Sequence, residues 1–270
     1  MSDMSGTGTG GAAAVSVEVW TDLVCPWCYI GKRRLERAIR LTGLGERVRV
    51  RWRSSELDPH GGPGGDLTLP DYMRRQGLSA AEIALRLSSV GAQAEEEGLA
   101  YRLDRARPVN TLDAHRLVHF AEERGIGGAV QERLMRAYAC EGAVLSDRSA
   151  LVGLAAEAGL EAGAAAELLE SGRHTGTVRA DEARAASLGL HGVPSFLFGG
   201  EHAASGARSA EELDAHLRRA AGASAPPSGG AAPHGSARPV GGGRPGDPGD
   251  GACAASPAAA EPASEGTSAP

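Results

Sequence analysis

The chain has 270 residues, a formal net charge of −6, 23% charged and 41% hydrophobic residues. That length suits one large domain or two small ones. The mild negative charge, with no Lys/Arg run longer than three, argues against a nucleic-acid binder. No stretch approaches the ~20 consecutive apolar residues of a membrane span. The first twenty residues lack the basic and apolar regions of a secretory signal, so a cytoplasmic protein is expected. Four cysteines in a chain this long do not make a disulfide-stapled miniprotein.

In chain order, Val15, Val17 and Val19 alternate and predict a strand over 15–20. Pro26 opens a helix to about Leu41 along the stripe Ile30, Leu35, Ala38 and Ile39; proline suits a first helical turn, where its missing N–H has no partner to lose. A second strand spans 47–53, with Val48, Val50 and Trp52 on one face, and the Gly/Pro-rich stretch 59–65 is a loop. From Leu69 to Leu188 the pattern is helical. Ser79 and Glu82 form a capping box ahead of Ile83, Leu87, Val90 and Ala94. Asn110 or Thr111 caps a helix bearing Ala114, Leu117, Val118 and Ala121, and Val130, Leu134 and Tyr138 mark the next. Helices follow over 151–158, 162–169 and 178–188, with Gly189 as a C-cap. Ser195–Phe198 is a short strand, Gly199-Gly200 suits a hairpin turn, and a last helix runs from Ser209, boxed by Glu212, to Arg219.

The composition breaks near Ala221. Residues 221–270 hold 14 Ala, 11 Gly, 9 Pro and 6 Ser and no aromatic residue, too little apolar surface to offset the entropy of ordering. That segment and residues 1–14 are expected to be disordered. The folded unit is then 15–220, in the order β-α-β (15–68), a helical block (69–188), and β-β-α (189–220).

The chemistry lies in Cys25-Pro26-Trp27-Cys28, between a predicted strand and a predicted helix. A cysteine at a helix N-terminus meets unpaired backbone N–H groups and the positive end of the dipole, which favour the thiolate, the nucleophilic form. Two intervening residues let Cys28 close a disulfide with Cys25. Cys25 would attack a substrate disulfide and Cys28 would resolve the mixed disulfide. Half a zinc site and a purely structural pair are the competing readings; a tetrahedral site needs two more ligands, and no second CxxC or HxxxH accompanies this one. No metal is expected. The second element is Gly192-Val193-Pro194. A proline before a strand often marks only the strand's start. In a thioredoxin-type order, a cis Val193–Pro194 bond would bring the ring against the two sulfurs and leave the Val193 backbone to pair with an extended substrate.

These features resemble the DsbA family of thiol–disulfide oxidoreductases in its FrnE-like branch, which is related to 2-hydroxychromene-2-carboxylate isomerases and kappa-class glutathione transferases. The residues that carry the resemblance are Asp22 through Gly31, Asn110-Thr111, Ala114 through Leu117, Ala137-Tyr138, Gly192 through Pro194 and Ser205 through Ala207. The resemblance covers about 15–220. It implies an α/β, thioredoxin-like fold with a helical domain inserted between the second and third strands, and a cis Pro194. Some relatives carry a second Cys-x4-Cys pair in the tail; here Cys253 stands opposite Pro248, so no second pair of that kind is expected. Cys140 falls where relatives often have an aromatic residue and is expected as a small buried hydrophobe.

Asp22 is read first as a cap of the strand-to-helix turn and second as a proton carrier in exchange. Trp27 belongs to an apolar rim. His115 is read as a satisfied core histidine and Asn110 as a helix cap; Arg33 and Arg34 are read as solvated. The leading function is a dithiol–disulfide oxidoreductase or isomerase acting on protein thiols and disulfides, with no cofactor beyond its own cysteine pair and with glutathione as a conceivable co-substrate. The alternatives are a glutathione-dependent isomerase or transferase of a small aromatic molecule, and a redox-inert binding or chaperone-like module. Those glutathione-dependent relatives typically carry serine in place of the first cysteine and need no resolving one.

Overall fold

The structure, a computed structural model, describes residues 14–60 and 64–222. The expectations for the N-terminal segment, for the tail and for Cys253 lie outside the described residues.

Strand β1 (Val15–Thr21) enters α1 (Pro26–Thr42), and the chain returns in β2 (Val48–Ser54). Helices α2 (Leu69–Arg75), α3 (Ala80–Glu96), α4 (Leu112–Glu122), α5 (Gly127–Arg136), α6 (Arg148–Glu157), α7 (Ala162–Glu170) and α8 (Thr175–Ser187) follow. Strands β3 (Ser195–Phe198) and β4 (His202–Ser205) and helix α9 (Ala210–Ala220) complete the fold. The sheet order is β2-β1-β3-β4. β2 runs parallel to β1, with Val15 opposite Val48, and β3 runs antiparallel to β1, with Val19 opposite Phe196. This is a thioredoxin-like sheet with a helical block inserted between its second and third strands.

The period-2 pattern of β1 sorts its side chains between two layers. Val15, Val17 and Val19 pack with Leu35 and Ala38 of α1, Phe196 and Phe198 of β3, and Leu213 and Leu217 of α9. On the other face Trp20 and Leu197 pack with Ala185 of α8 and with Leu190. Helix α8 is therefore the element of the inserted block that lies on the sheet; the Trp20 indole N–H donates to the Asp181 carbonyl at 2.9 Å. The remaining helices build a separate core around Leu99, Leu117, Val130, Leu134, Leu151 and Leu168, and Cys25, Cys28, Tyr29 and Ile30 are part of it. The start of α1 is thus wedged between sheet and helical block.

Three readings need correction. Arg33 and Arg34 are buried rather than solvated. Arg34 pairs with Glu97 at 3.0 Å and donates to the Ala207 carbonyl at 2.5 Å, and Arg33 pairs with Glu132. These partners stand in α5, at the end of α3 and after β4, out of sight of any local pattern. The helix through Val130 and Leu134 does not continue regularly to Tyr138: α5 ends at Arg136 and a π turn spans Ala137–Glu141. That turn keeps Ala137, Tyr138 and Ala139 inside and sets Cys140 half-buried at the core's edge. Cys140 is disulfide-bonded, not a reduced apolar filler.

Candidate active site

The β1–α1 turn presents the dithiol. Cys25 is the N-cap of α1, in extended conformation, and Pro26 is the first helical residue. The turn closes through the Cys25 amide to the Asp22 carbonyl at 3.3 Å and the Cys28 amide to the Cys25 carbonyl at 3.0 Å. Both sulfurs are free thiols; Cys25 is 6% exposed and Cys28 is 0% exposed. The Cys25 sulfur faces the Val193 carbonyl oxygen at 4.0 Å. The Val193–Pro194 bond is cis.

Gly31 sets how near that loop comes. A Cβ there would stand 2.9 Å from Pro194 Cγ, so the proline ring rests directly on the first turns of α1. The loop is held by the Ser195 hydroxyl donating to the Gly192 carbonyl at 2.9 Å and by the Gly206 amide donating to the Pro194 carbonyl at 2.8 Å. Val193 and Trp27 are half-buried, both packed against the helical core. Tyr101, from the segment between α3 and α4, donates to the Pro26 carbonyl at 2.7 Å and stacks on Tyr29.

Asp22 is 1% exposed and sits beneath the dithiol. Its carboxylate accepts from the Val24 amide at 3.4 Å, as a cap of the turn does, and from the Leu57 amide at 2.7 Å. Its own backbone N–H donates to the Cys28 sulfur at 3.4 Å. Asn110 accepts from the Leu112 amide at 3.0 Å and donates to Glu56 at 2.9 Å. The N-cap of α4 is Thr111; Asn110, one residue before it, holds the first helical amide and fastens the loop that carries Leu57. His115 is in the core but is not satisfied: its Nε2 makes no hydrogen bond among the described residues. Burial pushes the Cys28 thiol well above the ordinary thiol range, and the neighbouring Cys25 sulfur and Asp22 carboxylate add to the effect. Burial likewise raises Tyr101 and Tyr138.

The structure thus brings Cys25, Cys28, Pro26, Trp27, Asp22, Val193 and Pro194 into one region. It adds Tyr101, Leu57 and Gly31, which pattern reasoning had not singled out as parts of the site. Only Gly31 left a trace: a glycine in a helix interior is unfavourable by roughly 0.5–1 kcal/mol against alanine and marks a close approach. Among the described residues no group of three or more His, Cys, Asp or Glu side chains is placed to hold a metal ion.

The DSBA-like thioredoxin domain family matches residues 16–218. A probable DsbA oxidoreductase from Streptomyces coelicolor is 35% identical, with a TM-score of 0.74, covering 84% of this chain and all of that one. The uncharacterized protein YwbO of Bacillus subtilis is 28% identical over 187 residues, 68% of this chain and 87% of that protein. The cytosolic disulfide reductase DsbM of Pseudomonas aeruginosa shares the fold at 24% identity and a TM-score of 0.51, covering 76% of this chain and 97% of its own.

Proposed function

The chain belongs to the DSBA-like thioredoxin domain family, and on that premise we propose that it is a dithiol–disulfide oxidoreductase acting on protein thiols and disulfides through Cys25 and Cys28. The observation that carries this reading is the placement of two free thiols at the start of α1, the outer one facing the carbonyl that precedes a cis proline. Cys25, the N-cap of α1, is the more exposed of the two thiols. The elevated Cys28 thiol stays protonated while the first step occurs, which orders the two steps.

In the reducing direction, Cys25 Sγ attacks one sulfur of a substrate disulfide. The substrate S–S bond breaks, a mixed disulfide forms, and the first substrate thiolate leaves with the bonding pair. Cys28 Sγ then attacks Cys25 Sγ, and the second substrate thiolate leaves. The substrate gains two electrons and Cys25–Cys28 becomes a disulfide; oxidation of a dithiol runs the same steps backwards. A substrate peptide pairing with the Val193 main chain would be flanked by half-buried Val193 and Trp27, a mode that supplies affinity with little sequence preference. Glutathione is the small thiol we propose as an alternative exchange partner, and the cytoplasm is the compartment we propose. No helix among the described residues is long and apolar enough to cross a membrane.

The test is insulin reduction by dithiothreitol with and without the protein. Cys25→Ser should abolish the acceleration. Cys28→Ser should keep the first step and accumulate mixed disulfides, seen as a mass increase reversed by reductant. Turnover that survives Cys25→Ser would end this reading. Glutathione-dependent isomerisation of an aromatic substrate that persists in Cys28→Ser would favour an isomerase instead.

A further inference from the structure

The exchange steps leave one matter open: where the Cys28 proton goes. The thiol is fully buried, and beneath it lies a carboxylate–imidazole pair that those steps do not use. His115 on α4 is 3% exposed, and its unbonded Nε2 lies 3.5 Å from Asp22 Oδ1. An imidazole nitrogen left without a hydrogen bond in a core is costly and calls for an explanation. The carboxylate is held from its other side by the Leu57 amide, so it is fixed in front of the ring. The Asp22 main chain, in turn, touches the Cys28 sulfur. Thiol, carboxylate and imidazole therefore form one contiguous buried patch.

Ionising Cys28 there without moving its proton to a nearby acceptor would set a thiolate beside a carboxylate, away from water, which is strongly unfavourable. Moving the proton onto the imidazole creates an imidazolium against Asp22 and leaves the net charge of the patch unchanged. We propose that the Asp22–His115 pair takes up the Cys28 proton in the resolving step, with the proton passing by way of Asp22 to rest on His115 Nε2. In that step the Cys28–Cys25 S–S bond forms, the bond from Cys25 to the substrate sulfur breaks, and the substrate leaves as a thiolate that is protonated by water. The imidazolium afterwards returns its proton to solvent.

The other titratable groups facing the patch do not compete. Tyr138 comes from the π turn and Tyr101 from the segment before α4; burial keeps both in the phenol form, so neither accepts a proton. Cys25 is tied up in the mixed disulfide during this step. Glu56, beside Leu57, is turned to Asn110 and Arg179. His119, one turn along α4, is committed to Ser54 and Asp181.

This proposal rests on the oxidoreductase reading, and the experiment separates the two. Reduced protein is mixed with dithiobis(nitrobenzoate) in a stopped-flow instrument. The first release of thionitrobenzoate reports attack by Cys25, and the second reports attack by Cys28 on the resulting mixed disulfide. His115→Gln should leave the first release unchanged and slow the second by roughly a hundredfold at neutral pH, with the lost rate recovered as pH rises. No first release from the unaltered protein would overturn the oxidoreductase reading. A second release with unaltered rate and pH profile in His115→Gln would overturn the role of His115 alone. Should that variant fail to fold, nitrogen NMR of Cys25→Ser decides: as the protein is acidified from strongly alkaline solution, the His115 ring should gain its proton over the pH interval in which the ultraviolet thiolate absorbance of Cys28 is lost. A ring that titrates independently of Cys28 would overturn the proposal.

Discussion

Gly31 trades helix stability for closeness. Alanine would lower the intrinsic cost of that helical position by about 1 kcal/mol, yet its Cβ would stand 2.9 Å from Pro194 Cγ and 3.4 Å from Phe196 Cζ. Neither neighbour is the loose end of a flexible chain, so the Val193–Pro194 loop must move away from the dithiol. Gly31→Ala is expected to destabilise the fold by roughly 1–3 kcal/mol, as overpacking does, and to reduce insulin turnover several-fold. Urea denaturation and the turnover assay check the two parts separately; an unchanged assay would show that the spacing of loop and dithiol is not critical. The two sulfurs should also differ in reactivity. Cys25 is the more exposed, and the Cys28 thiol is raised by burial. Iodoacetamide at neutral pH should modify Cys25 first, as read by peptide mass spectrometry, and Cys28 should react only in strongly alkaline solution. Preferential modification of Cys28 would reverse the assignment of attacking and resolving thiols. At this scale the sequence is legible where chemistry is local: Cys25 and Cys28 sit two residues apart at a recognisable helix start. Tyr101 and Leu57 reach the site from 75 and 35 residues away along the chain, by contacts that depend on the tertiary fold and leave no period or spacing to read.

Elements were legible for the same reason and illegible at their joints. The capping boxes at Ser79/Glu82 and Ser209/Glu212 are both formed, because a capping box involves only four consecutive residues. The π turn after α5 left no such sign. The run Lys32-Arg33-Arg34 misleads for a related reason: a charge run is solvated unless other elements bring partners, and here they do. Lys32 and Arg33 share Glu132 of α5, and Arg34 joins α1 to Glu97 at the end of α3 with both side chains fully buried. Glu97→Ala would leave that guanidinium inside with fewer acceptors, at a cost of roughly 3–5 kcal/mol. The double variant Arg34→Met, Glu97→Leu should recover most of the loss, because buried ion pairs are often replaced by apolar residues at little cost. Urea denaturation of the single and double variants measures both; a Glu97→Ala protein as stable as the parent would mean that the pair does not fasten α3 to α1.

Across the whole molecule, carboxylates hold the sheet and α1 to the inserted helices, and this makes stability depend on pH in a definite direction. Glu18 of β1 bonds Arg53 of β2 at 2.7 Å and Arg184 of α8 at 2.5 Å. Asp181 of α8 accepts from Arg53 at 2.8 Å and from the Ser54 amide at 3.0 Å, and faces His119 of α4 at 3.2 Å. Glu132 of α5 meets Lys32 of α1 at 2.6 Å. Burial alone would raise all three carboxyls, but these partners outweigh it and hold each below its ordinary value. A folded value lower than the unfolded one means that the unfolded chain binds protons first. The stabilisation is then complete above the unfolded value, about 4 for a carboxyl, and is lost as pH falls through the folded value. His174 and His216 act in the same direction from a higher starting point. Burial lowers both below 6.5, so the unfolded chain takes up their protons earlier, and stability declines between that value and their folded ones. The thermal midpoint should therefore fall in two stages on acidification, shallow below about pH 6.5 and steep below about pH 4. Circular dichroism melts across that range test this. Asp181→Asn, which cannot titrate, should have a lower midpoint at neutral pH and a shallower steep stage. His216→Gln should reduce the shallow stage only. If Asp181→Asn lowers the midpoint equally at every pH, the ionisation of Asp181 is not what ties α8 to the sheet, and the Ser54 amide and the Trp20 indole bond carry that joint instead.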